Sequence, residues 1–135
     1  MISIGDPGQP PPFGHRGPRR LLTLEFYDTI VPSDPFGPTE EDVESVLAFA
    51  PTVQELGGTC LVHCQAGISR STATSILLYA SWFGPGREAA AAKAVQELVP
   101  QAIPNPLIIS YGDTCLGCRG ALLSAVDATF SPPVS

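Results

Sequence analysis

The chain has 135 residues, enough for one hydrophobic core and too few for two. Seven basic residues against thirteen acidic ones give a formal charge of −6, which argues against DNA or RNA as a partner. No apolar run has the length of a membrane span, and Met1 is followed by Ile-Ser-Ile-Gly-Asp-Pro, without the basic and apolar regions of a signal peptide. The expectation is a cytoplasmic chain with no membrane partner.

Residues 1–5 read as a short strand. Asp6 to Arg20 is a Pro/Gly loop ending in Arg16, Arg19 and Arg20, which read equally as a solvated basic loop or as contacts to the phosphate or acidic flanks of a substrate, so no site is assigned to them. Leu21 to Tyr27 alternates well enough for a second strand, and Asp28 to Pro38 is a second Pro-rich loop. Thr39-Glu40-Glu41-Asp42 has the form of a capping box at a helix start. Val43, Val46, Leu47 and Ala50 then share one helical face, and Pro51 should end or kink that helix.

Gly57-Gly58 is a turn. Thr59 to His63 is a short apolar strand of the kind found in the centre of a parallel sheet. A loop over 64–70 leads into a helix from Ser71 to Phe83, apolar nearly all round and so buried, with Trp82 in the core or walling a groove. Gly84-Pro85-Gly86 breaks it, an Ala-rich helix runs from Arg87 to Leu98, and Pro100 stops that one. Asn105-Pro106 is an N-cap followed by proline at the first helical position, opening a helical region to about Ala128, bent near Gly117 and Gly120. Asp113 is expected on its surface. Strands preceding helices in alternation give an α/β fold with a small, mainly parallel central sheet flanked by helices. Residues 1–130 read as one domain and 131–135 as a frayed tail.

The four cysteines are Cys60, Cys64, Cys115 and Cys118, and in the cytosol they should be reduced. Cys115 and Cys118 have the spacing of a zinc or redox pair. With only His15 and His63 elsewhere, they read instead as two small buried thiols. Cys60 reads as a packed strand residue.

The informative segment is Leu-Val-His-Cys-Gln-Ala-Gly-Ile-Ser-Arg-Ser-Thr-Ala-Thr, residues 61–74. A buried strand ending at His63 and a buried helix just beyond Arg70 force a sharp turn, for which Gly67 supplies the backbone freedom. The N–H groups of such a loop and of the helix N-terminus converge on an anion-sized cradle. Cys64 sits at its rim, where a thiol's pKa is lowered and the thiolate becomes a nucleophile. Arg70 offers a planar fork matched to two phosphate oxygens, and Ser71 places a hydroxyl beside the sulfur.

These residues, His63-Cys64-x5-Arg70-Ser71 with Gly67 inside, resemble the signature of the cysteine-based protein tyrosine phosphatases. The form Val-His-Cys-x-Ala-Gly-Ile-Ser-Arg-Ser is closest to the dual-specificity branch. Phe26-Tyr27-Asp28 upstream and Pro104-Asn105 downstream are similar to a group of small bacterial predicted tyrosine phosphatases. The resemblance runs from Met1 to about Ala128.

It implies a phosphatase P-loop between a central strand and a buried helix, and a phosphorylated protein or peptide as substrate. Cys64 would attack phosphorus and form a cysteinyl-phosphate. The amides of Gln65, Ala66, Gly67, Ile68, Ser69 and Arg70 would hold phosphate or sulfate-like anions, with the Arg70 guanidinium as clamp. Ser71 would ease departure of the sulfur, and His63 would orient the loop. No metal and no cofactor is implied. The family's general acid is an aspartate on a loop after a strand: Asp28 fits by context, 36 residues before Cys64, and Asp34, 30 residues before it, fits by count. The family also carries a strand ahead of the segment matching Ile2-Ser3-Ile4, so the start of the chain is expected to be truncated.

Two other functions stay open at this point. One is a catalytically silent module that binds phosphate or phosphopeptides. The other is a different oxyanion-directed cysteine enzyme, such as a sulfurtransferase or an arsenate reductase, the latter needing further redox cysteines.

Overall fold

The computed structural model describes residues 2–6, 22–56, 62–64 and 68–130. Among the expected features, the basic loop, Gly57-Gly58, Cys60, residues 65–67 and the tail 131–135 lie outside the described residues, as does the His63 side chain.

Three parallel strands form the described sheet: β1 (Ile2–Gly5), β2 (Leu22–Glu25) and β3 (Val62–His63), in the order β2-β1-β3. Ile2 lies opposite both Leu22 and Val62. Ile2, Ser3 and Ile4 are all buried, so β1 is covered on both faces. Among the described residues the middle strand is β1, and β3, expected in the centre, lies beside it.

The first helix, α1 (Glu40–Leu56), starts as its capping box requires. The Asp42 N–H donates to Thr39 Oγ1 at 3.2 Å, and the Thr39 N–H donates back to Asp42 Oδ2 at 2.9 Å. Pro51 does not end it. Proline removes one helical hydrogen bond, but Ala50 beside it is fully buried and its carbonyl accepts the indole N–H of half-buried Trp82 at 3.0 Å. Packing against the next helix holds the backbone through the proline.

That helix, α2 (Arg70–Phe83), touches β3, α1 and the helices α3 (Glu88–Leu98) and α4 (Pro106–Leu116). Ile76, Leu77 and Leu78 are buried on it, and buried Thr74 satisfies its hydroxyl on Arg70 O at 2.9 Å. The approach of α4 depends on Gly112, where an added Cβ would stand 2.1 Å from Leu77 Cδ2.

The expected single bent helix from 106 is two helices, α4 and α5 (Ala121–Phe130). Gly117 (φ 69°), Arg119 (φ 55°) and Gly120 (φ 91°) all adopt positive φ, which reverses the chain. Asp113, expected at the surface, is only 4 % exposed. Its carboxylate accepts the N–H groups of Gly120 (2.8 Å), Leu122 (2.9 Å) and Leu123 (3.2 Å), so it caps the start of α5 from one helix earlier. Among the described residues no helix is long and apolar enough to cross a membrane.

Candidate active site

Ligand chemistry in parallel sheets gathers at the carboxyl ends of the strands. Here β1 delivers Asp6 to that edge, β2 delivers Phe26 to Asp28, and β3 delivers Cys64. The helix α2 begins six residues after Cys64, at Arg70.

Cys64 is half-buried. Its Sγ lies 3.2 Å from Ser71 Oγ and receives the Ser71 backbone N–H at 3.4 Å. Both partners belong to the first turn of α2, so the sulfur faces the positive end of that helix.

Arg70 is 5 % exposed, and a buried guanidinium has to be matched. Its Nη1 donates to Asp6 Oδ1 and to Phe26 O, both at 2.8 Å. The guanidinium is thereby tied to the ends of β1 and β2 through one nitrogen. Sequence reasoning missed Asp6. Its signal was position: the residue following a strand whose C-terminal end shares a sheet edge with Cys64.

Ser69 stands at the N-cap of α2, yet its hydroxyl does not cap the helix. It donates to Asp28 Oδ1 at 2.8 Å instead. Ile68 is half-buried, and its carbonyl accepts from Ile103 N at 3.1 Å and from the Thr72 hydroxyl. Ser69 O accepts from Ala73 N and from Asn105 N, each at 3.1 Å. The end of the cysteine loop is thus held from the helix side and from the segment ahead of α4.

The two candidate acids differ in surroundings. Asp28 is exposed and contacts the loop through Ser69, and the same Oδ1 receives Asn105 Nδ2 at 2.7 Å. Asp34 turns back on its own segment, where Oδ1 accepts Phe36 N at 2.9 Å. Around Asp28 the loop exposes Tyr27, Ile30, Val31 and Phe36, with Tyr27 and Phe36 edge to face at 6.3 Å.

Cys115 and Cys118 lie away from this assembly. Cys115 is exposed rather than buried as expected, and Cys118 is half-buried. Burial, then the carboxylates of Asp113 and Glu88, pushes the Cys118 thiol up to about 11. Cys115 is raised too, by what burial it has and then by Glu44 and Glu40.

No family model matches the chain, and no solved structure matches it. It is similar to dual specificity protein phosphatase 15 of Rattus norvegicus, 37 % identical over 93 residues, which are 68 % of this chain and 39 % of that protein. The protein of the same name in Mus musculus matches with the same identity and coverage. The chain thus spans about two fifths of the length of the curated relatives it matches.

Proposed function

We propose that the chain is a cysteine-dependent protein phosphatase of the dual-specificity type, hydrolysing phosphotyrosine and, as far as the pocket admits them, phosphoserine and phosphothreonine esters. The observation that carries this reading is the contact of the Cys64 sulfur with the hydroxyl and N–H of Ser71, next to a buried Arg70 and with Asp28 joined to the same loop. Similarity to two dual specificity protein phosphatases points the same way.

In this mechanism the Cys64 thiolate attacks phosphorus in line. The sulfur–phosphorus bond forms as the bond to the leaving oxygen breaks. Asp28 gives that oxygen its proton, and Arg70 with the loop amides of 65–70 holds the three equatorial oxygens. Water then attacks the cysteinyl-phosphate, Asp28 takes up the proton, and the Ser71 hydroxyl donates to the departing sulfur. His63 orients the loop. Asp28 is preferred to Asp34 as the acid because it contacts Ser69, whereas Asp34 hydrogen-bonds its own turn.

A thiol relay of the arsenate-reductase kind has less support. Cys115 and Cys118 are both raised, so they remain protonated thiols at neutral pH and make poor partners for disulfide exchange.

The test is the initial rate of phosphate release from a phosphotyrosyl peptide by wild type and Cys64→Ser in parallel. Turnover by wild type and none by the variant is expected. Peptide binding without turnover in either protein would replace the enzyme with a silent phosphopeptide-binding module.

A further inference from the structure

The geometry points to Asn105 as a positioning residue for the general acid. This rests on the phosphatase reading above and on Asp28 as its acid.

Asn105 is 1 % exposed, so its amide has to find partners inside the protein. A side-chain amide can make four hydrogen bonds, two accepted by the oxygen and two donated by the nitrogen. All four are made. Oδ1 accepts the N–H groups of Leu107 at 2.9 Å and Ile108 at 3.1 Å, which caps α4. Nδ2 donates to Asp28 Oδ1 at 2.7 Å and to Thr29 O at 3.1 Å. The amide orientation follows from chemistry, since two backbone donors on one side admit only the oxygen there. The nitrogen is thereby obliged to face Asp28.

Capping alone does not require asparagine. Serine and aspartate cap about as well, but neither has an N–H to direct at a carboxylate. The backbone of Asn105 adds a second attachment, donating to Ser69 O at 3.1 Å, while the Ser69 hydroxyl reaches Asp28 at 2.8 Å. Asp28, Ser69 and Asn105 so close a triangle. One vertex is the acid, one belongs to the cysteine loop, and the third is fixed to the buried start of α4. Asn105 pins the loop at Asp28 and Thr29 together, which fixes the direction of the carboxylate as well as its place.

The consequence is confined to one step. An acid matters when the leaving oxygen is too basic to depart as an anion, and is dispensable when it is not. Displacing the acid should slow phenyl phosphate, a poor leaving group, and spare dinitrophenyl phosphate, a good one. A defect in the fold or in the cysteine loop would slow both.

The experiment compares wild type, Asn105→Ser and Asn105→Asp on these two substrates, each alone and in an Asp28→Asn background, with thermal melts of every protein. Both variants keep a cap, and the near-isosteric Asn105→Asp serves if Asn105→Ser does not fold. The expected result is a loss in kcat of about tenfold on phenyl phosphate, part of the roughly 10²–10⁴ a general acid supplies. On dinitrophenyl phosphate the loss should be under about twofold, and in the Asp28→Asn background neither variant should lose anything further. Equal losses on the two substrates, or no loss on either, would overturn the role of Asn105 and leave the phosphatase reading intact. A wild type that hydrolyses neither substrate would overturn both.

Discussion

Among the described cysteines two stand ahead of a helix, and their surroundings are opposite. Cys64 precedes α2, and the first turn of that helix directs the Ser71 N–H at its sulfur and accepts the thiol on the Ser71 hydroxyl oxygen. The N-cap side chain, Ser69, is drawn off to Asp28. Cys118 precedes α5, and there Asp113 has already taken the N–H groups of Gly120, Leu122 and Leu123. One carboxylate occupies the place where an anion would be welcomed, and it also repels a thiolate at Cys118, whose thiol is pushed up to about 11. At the α2 start the sulfur meets a backbone N–H, whereas at the α5 start a carboxylate stands beside the thiol.

The largest effect should come from the α2 end. Arg70 is the cation beside the Cys64 loop, and a lysine would keep the charge but lose the planar fork. Arg70→Lys should lower kcat on a phosphotyrosyl peptide by about 10²–10³, the size of a lost oxyanion-stabilising donor. Unchanged turnover in a folded variant would show that Arg70 serves the strand ends through Asp6 and Phe26 and not the substrate.

At the α5 end the corresponding change should alter stability and not chemistry. Asp113→Ala removes three charge-assisted caps and leaves the backbone donors at the start of α5 without that acceptor. The expected cost is roughly 2–3 kcal/mol in urea denaturation, with turnover per folded molecule preserved. A loss near zero would mean that the Gly117–Gly120 turn holds α5 without its cap.

This contrast also separates what was legible in the sequence from what was not. The capping box at Thr39 and the Asn105-Pro106 helix start were legible because each of their residues has a local reason to be there. Asp113, expected at the surface, is buried because its partners lie 7–10 residues later, beyond a turn with three positive-φ residues. Asp6 was missed because its partner Arg70 is 64 residues away and is reached only through the order of the strands. For Asn105, the capping half was readable and the half directed at Asp28, 77 residues distant, was not. Pro51 shows the same limit in the core: its local rule ends or kinks the helix, and α1 runs through it with Ala50 held by Trp82 of α2.

The smallest effect expected is a pH dependence at Cys118. Its thiol is raised from an ordinary 9.0 to about 11, by burial first and then by Asp113 and Glu88. Between those values the unfolded chain has lost the proton while the folded chain still holds it. Stability changes with pH in proportion to protons bound by the unfolded state minus those bound by the folded state. That difference is negative here, so this contribution is whole below about pH 9 and is lost as pH rises towards about 11. The informative quantity is the difference between wild type and Cys118→Ser. Urea midpoints measured from pH 8 to 10.5 should fall more steeply for wild type, and the gap between the two proteins should change only above about pH 9. Parallel curves would mean that the Cys118 thiolate is tolerated beside Asp113, and the electrostatic distinction between the two helix starts would then fail at the α5 end while the chemistry at Cys64 stood unaffected.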